Sequence, residues 1–166
     1  MKKIILCLLP IWVISIGCAP VQSADPESDL RESNKQLAVN YITEVVNKQQ
    51  LALIDTLFSP DYTFHEWNGE AVQNLKSGAL LSFLEYLFRA FPDLQYTVVD
   101  AIAEGDRVAL NLSAEGTHRD EFLGFEASGN KVIYREMFFF KMKDNKITEG
   151  WAVVDVDRVK SQLQSQ

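Results

Sequence analysis

The sequence predicts an α+β domain in which helices from the N-terminal half pack on one face of a curved antiparallel sheet from the C-terminal half. Two observations carry this. Up to Phe91 the apolar residues recur at helical spacing, and from Leu94 onward the period switches to two. The strand-like runs are separated by the turn signals Glu104-Gly105-Asp106 and Asp144-Asn145 and by one longer polar stretch, Gly116 to Val132, so consecutive strands meet as hairpins.

A leader precedes the domain. Lys2 and Lys3 stand before an apolar run from Ile4 to Gly17, too short to span a bilayer as a mature helix but right for the hydrophobic core of a secretory signal peptide. Ser15-Ile16-Gly17-Cys18 then resembles a bacterial lipobox, in which Cys18 becomes the lipid-bearing N-terminus; Ser15 departs from the large aliphatic residue usual there. Cleavage by ordinary signal peptidase near Ser23 or Ala24 is the other reading. The expectation is an exported protein: a bacterial membrane-anchored lipoprotein on the periplasmic or cell-surface side, or a soluble periplasmic protein if the lipobox is not used. Residues 1–18 form the signal peptide, 19–32 a small, polar, Pro-containing flexible tether, and 33–166 the folded domain.

Composition narrows the function classes. At 166 residues, 47% hydrophobic and 23% charged, the chain has enough apolar material for one core. Its net charge of −7 becomes more negative still when Lys2 and Lys3 leave, and it repels phosphates, which argues against nucleic acid or an anionic membrane surface as partner. Any membrane contact runs through the N-terminal lipid. Cys7 and Cys18 both lie in the leader, so the domain has no disulfide and no thiolate nucleophile. With no cysteine and with His65 and His118 as its only histidines, the domain is expected to hold no metal.

The elements follow in order. Ser33 and Gln36 form a capping box ahead of a helix to about Asn47, with Leu37, Ala38, Tyr41, Ile42, Val45 and Val46 on one stripe. A short helix over Leu51 to Phe58 stops before Pro60. Asp61 to Trp67 is extended, and a strongly amphipathic helix runs from about Ser77 to Phe91, closed by Pro92. The strands are Leu94–Ile102, Arg107–His118, Val132–Met142 and Lys146–Asp155, forming an antiparallel meander, and the polar tail from Val156 starts as a helix and frays. A curved sheet over helices leaves a conical space at its open end, where a small ligand fits.

Several short segments recur together in this chain: YITEVVN at Tyr41 to Asn47; FSPDYTFH at Phe58 to His65; Phe91-Pro92-Asp93-Leu94; Glu104-Gly105-Asp106-Arg107-Val108; Gly116-Thr117-His118 with Phe122-Leu123-Gly124; and Lys146-Ile147 with Glu149, Trp151 and Asp155. In this order and spacing, from about Asn34 to Leu163, they resemble the SnoaL-like polyketide cyclases, within the nuclear transport factor 2-like (cystatin-like) fold. The resemblance implies a cone-shaped sheet around a hydrophobic cavity, often in a homodimer formed through the back of the sheet. It also implies cofactor-free chemistry, in which an aspartate on the last strand acts as acid and base in an aldol closure. Here that aspartate position falls on Ala152 and its histidine helper on Phe138, and neither moves a proton.

Strand parity then selects other candidates. If Ala152 faces the cavity, so do Thr148, Gly150 and Val154, while Ile147, Glu149, Trp151, Val153 and Asp155 share the back face. On the preceding strand Val132, Tyr134, Glu136, Phe140 and Met142 share the face of Phe138. Tyr134, Phe138 and Ala152 are thus candidate ligand-binding residues. Glu136, a lone carboxylate on an apolar face, is either paired or functional. His118, at the end of the face carrying Val108, Leu110 and Leu112, either relays a proton or anchors the loop. His65 stands near the same mouth, with Glu66 as its obvious partner if its role is structural. Two readings stay open: an exported enzyme acting on a small apolar carbonyl or ester compound through Glu136, His118 and His65, and a non-catalytic lipoprotein that binds a small hydrophobic molecule or a protein partner.

Overall fold

The structure is a computed structural model that describes residues 25–65, 71–74 and 78–164. The signal peptide, Cys18, the tether up to Ala24, and Glu66 and Trp67 lie outside the described residues.

Helix α1, Pro26–Asn40, begins two turns before Ser33, so residues assigned to the tether are helical. The reason is a stronger start signal upstream. The Asp25 side chain accepts the Glu27 N–H at 3.2 Å, Pro26 occupies the first turn, and Glu27 and Asp29 place acidic groups at the positive end of the helix. Asn34, which is buried, donates from Nδ2 to the Gly105 carbonyl at 3.0 Å and ties the helix to the first hairpin turn. The helix then widens into a π-turn, Tyr41–Val46, which drives Tyr41, Ile42, Val45 and Val46 into the core.

A 3₁₀ turn at Leu51–Leu53 leads into α2, Ile54–Leu57. The helix ends before Pro60 as expected, but Phe58 is already extended, so strand β1, Phe58–His65, starts three residues ahead of Asp61 and contains Pro60. The four-residue strand β2, Ala71–Asn74, was not expected from the sequence; it pairs antiparallel with β1. Helix α3, Ala79–Ala90, starts after Gly78, whose φ of 71° suits glycine, and buries Leu80, Leu84 and Leu87. The meander follows as β3 (Gln95–Glu104), β4 (Arg107–Thr117), β5 (Lys131–Lys143) and β6 (Lys146–Val154).

The sheet order is β2-β1-β6-β5-β4-β3. Strands β3 to β6 pair antiparallel as expected, but β1 runs parallel to β6, so the sheet is mixed. Parallel pairing needs a long connection, and all the chain between β1 and β6 supplies it. The sheet is curved and unclosed, and its concave face meets α1, the π-turn and α3 around a core that includes Ile42, Leu84, Leu94, Leu110, Phe140 and Ile147.

Two details depart from simple alternation. The β5–β6 register shifts between Lys141↔Glu149 and Met142↔Ile147, leaving Thr148 as an extra residue. This bulge reverses parity, so Ile147, expected on the back face, is fully buried in the core. The tail is also firmer than expected: α4, Val156–Gln164, buries Val159 and Leu163, and its Gln162 side chain bonds both the N–H and the C=O of Ile133 at 2.9 Å. Asp155 does not extend β6 but caps α4, accepting the Arg158 N–H at 3.1 Å.

Candidate functional site

Alternation along β5 turns Tyr134, Glu136 and Phe138 towards the helices, and the β5–β6 register sets Phe138 opposite Ala152 and Glu136 opposite Val154. Between this face, the π-turn and α3 lies a cavity with two lobes, of about 490 Å³ and about 200 Å³. Tyr41, Phe83, Glu136 and Phe138 line both lobes, Ala152 borders the larger and Tyr134 the smaller. Among the described lining residues Glu136 is the only charged one.

Glu136 is 7% exposed and accepts a hydrogen bond from Tyr96 Oη at 2.7 Å. Tyr96 Oη in turn lies 2.8 Å from the Tyr134 hydroxyl. Burial pushes the Glu136 carboxyl up from 4.5 to about 7, and the Tyr96 hydrogen bond pulls the other way. Tyr41, Tyr96 and Tyr134 are held well above the ordinary tyrosine range, first by burial and then by the nearby Glu136 carboxylate, so their hydroxyls remain protonated. A carboxyl that changes charge near neutrality, in an apolar chamber, is equipped to exchange a proton with a bound molecule.

The structure does not gather the three proton-moving candidates at one point. His118 is fully buried yet lines neither lobe. Its ring stacks on Phe91 at 5.5 Å, and its Nδ1 lies 3.0 Å from Ser128 Oγ and 3.2 Å from the Ser128 backbone nitrogen. Through these contacts it anchors the β4–β5 loop. The loop itself does reach the rim: Phe122 and Leu123 line the smaller lobe, and the Tyr86 hydroxyl accepts the Leu123 N–H at 2.9 Å.

His65 likewise leaves the cavity, and the partner found for it among the described residues is Glu149, at 3.0 Å from Nε2. The parallel register of β1 and β6 sets His65 beside Trp151, on which it stacks at 4.6 Å. Lys141 completes the cluster with a 2.8 Å contact to Glu149, and Arg107 lies over the Trp151 ring. Glu149 is held below its ordinary value chiefly by the Lys141 hydrogen bond. These groups tie strands together on the outer face of the sheet.

Sequence reasoning singled out Tyr134 but missed Tyr41, Tyr62 and Tyr96. Tyr41 sits on the helical stripe and reads as core, Tyr62 lies in a segment expected only to be extended, and Tyr96 is one of many alternating strand residues. The available signal was parity on β3, which sends Tyr96 to the same concave face as Glu136. No group of three or more potential metal ligands exists among the described residues.

A curved sheet folded over N-terminal helices to enclose an apolar cavity defines the nuclear transport factor 2-like class. Within that class the family model for SnoaL-like polyketide cyclase matches residues 36–163, and the chain belongs to this family. Solved structures agree. The fold is similar to AclR, a candidate hydroxylase from Streptomyces galilaeus, at 28% identity and a TM-score of 0.73, over 80% of this chain and 82% of that one. It is also similar to a candidate SnoaL-like polyketide cyclase from Jannaschia sp. CCS1, at 21% identity and a TM-score of 0.75, over 87% of this chain and 99% of the other. IdmH, a candidate polyketide cyclase from Streptomyces antibioticus, aligns at 24% identity and a TM-score of 0.69, over 80% and 99% of the two chains. No curated protein matches the sequence.

Proposed function

We propose that this SnoaL-like protein binds a small hydrophobic carbonyl or ester compound in the two-lobed cavity and moves a proton on it without a cofactor, with Glu136 as the acid and base. The observation that carries this is the placement of Glu136 as the one charged group among the described residues of an aromatic cavity wall, its carboxyl poised near neutrality. Its position on β5, one strand away from Ala152, supplies from a different direction the carboxylate that the last strand lacks. Enolisable ketones and esters incubated in heavy water, with α-deuteration followed by NMR, test the reading. Exchange above background in the wild type and its loss in Glu136→Gln support it. Ligand binding without exchange supports the binding-only reading, for which the loss of both family proton-transfer positions, at Ala152 and Phe138, speaks.

The same proposal includes export and a lipid anchor at Cys18, resting on the leader pattern. A Cys18→Ser chain that still fractionates with membranes contradicts the anchor. It also includes a homodimer through the outer sheet face, where Ile102, Met137, Phe139 and Val153 are exposed. Sedimentation of the wild type and Phe139→Asp at micromolar concentration checks this, with a dimer expected only for the wild type.

A further inference from the structure

Two tyrosines on the cavity wall take no part in the Tyr134–Tyr96–Glu136 chain. Tyr41 comes from the π-turn and Tyr62 from β1, and both line the larger lobe with Glu136. Their rings are fixed by packing: Tyr41 stands edge-on to Phe58 at 5.0 Å and to Phe140 at 5.9 Å, and Tyr62 stands edge-on to Phe58 at 4.7 Å. Their hydroxyls, by contrast, have no hydrogen-bond partner among the described residues, and neither oxygen is sealed off in the interior. A tyrosine hydroxyl in an apolar wall normally finds a partner, so an unpartnered pair opening on a cavity marks a place for an acceptor atom.

The seat of Tyr62 is built into the backbone. A Cβ at residue 150 would lie 2.5 Å from Tyr62 Oη, so glycine there makes the room the hydroxyl occupies. Both tyrosines share the wall of the larger lobe with the Glu136 carboxyl. Burial keeps both hydroxyls protonated, so they present hydrogen atoms and not negative charge.

Resting on the acid/base reading of this cavity, we infer that Tyr41 and Tyr62 receive the oxygen of a neutral, largely apolar ketone, aldehyde or ester, and hold its α-carbon towards Glu136. Anionic substrates are disfavoured, because no cationic side chain lines either lobe among the described residues and a carboxylate already stands there. In the step itself the α C–H bond breaks and the proton goes to a Glu136 carboxylate oxygen. The C–H electron pair becomes the enolate, whose negative oxygen accepts hydrogen bonds from Tyr41 and Tyr62. Return of the proton by Glu136 to another carbon of the enolate gives isomerisation, and return to the same carbon after Glu136 has exchanged its proton with solvent gives α-exchange, with nothing else consumed. Donors aimed at the developing oxyanion contribute on the order of 10²–10³ in rate each.

The probe is 1-tetralone, a neutral bicyclic ketone with an α C–H, with two readouts on the full domain. The carbonyl stretch of the bound ketone in infrared difference spectra reports hydrogen bonding to its oxygen, and α-deuteration in heavy water reports proton transfer. A shift of the stretch to lower frequency is expected in the wild type and in Glu136→Gln, and its loss is expected in Tyr41→Phe/Tyr62→Phe. Either single Tyr→Phe variant should slow deuteration roughly 10²-fold. A wild-type stretch at the position found in hydrocarbon solvent, or no binding at millimolar ketone, overturns the inference without reference to any variant. A shift that persists in both single variants and in the folded double variant overturns it too. Glu136-dependent exchange that survives such a result leaves the acid/base reading standing, whereas a tyrosine-dependent shift with no exchange removes that reading and retains the oxygen-binding pair.

Discussion

Tyr96 Oη sits 2.7 Å from Glu136 Oε2, and this contact is all that the described residues offer the carboxyl by way of a hydrogen bond. The two residues come from β3 and β5, with β4 between them, and meet because both strands turn the relevant side chain to the concave face. One neutral donor does not compensate a carboxylate for leaving water, which is why burial prevails and the Glu136 carboxyl rises to about 7.

Stability should therefore fall as pH rises through the window from 4.5 to about 7. In that window the native state holds a proton that the unfolded chain releases, so raising the pH favours unfolding. The effect is on the order of 3 kcal/mol at roughly 1.4 kcal/mol per unit. Asp93 and Glu149, both held low in the folded state, contribute stability that is lost only at more acid pH. Urea unfolding at pH 5 and 7.5 should show the decline in the wild type and a much flatter profile in Glu136→Gln.

Tyr96→Phe removes the hydroxyl shared by Glu136 and Tyr134. Unfolding free energy at pH 5 should drop by roughly 1–3 kcal/mol. The Glu136 midpoint, followed by carbon NMR of the carboxyl, should move upward, and an unchanged midpoint would show that the hydroxyl does not act on the carboxyl.

Gly150→Ala places a methyl group 2.5 Å from Tyr62 Oη and 3.3 Å from the Phe140 ring. Overpacking of this kind costs about 1–3 kcal/mol. Tyr62→Phe in the same chain should recover part of that loss, and a double-mutant cycle with no coupling between positions 62 and 150 would contradict the contact.

His118→Ala should destabilise the domain by roughly 1–3 kcal/mol through the lost Phe91 stack and the lost contacts to Ser128. Because His118 lines neither lobe, the Glu136 midpoint should stay where it is. A variant that shifts that midpoint would restore His118 to the active-site candidates.

Much of this molecule was readable from residue order alone. The switch from helical to alternating period near Leu94, the turns at Gly105 and Asp144-Asn145, and the inward set Tyr134, Glu136 and Phe138 all follow from local geometry, since side-chain direction along a helix or strand is fixed by backbone period. What residue order could not settle was direction and partnership. Nothing local says that β1 runs parallel to β6, that a bulge at Thr148 turns Ile147 inward, or that His65 reaches Glu149 across 84 positions. The cavity belongs to this second kind. Tyr41, Tyr62, Tyr96 and Glu136 are far apart in the chain, and each alone is an ordinary residue of its element. Only the curvature of the sheet over the π-turn sets them around one space, where exclusion of water makes a single carboxyl and a few hydroxyls chemically significant.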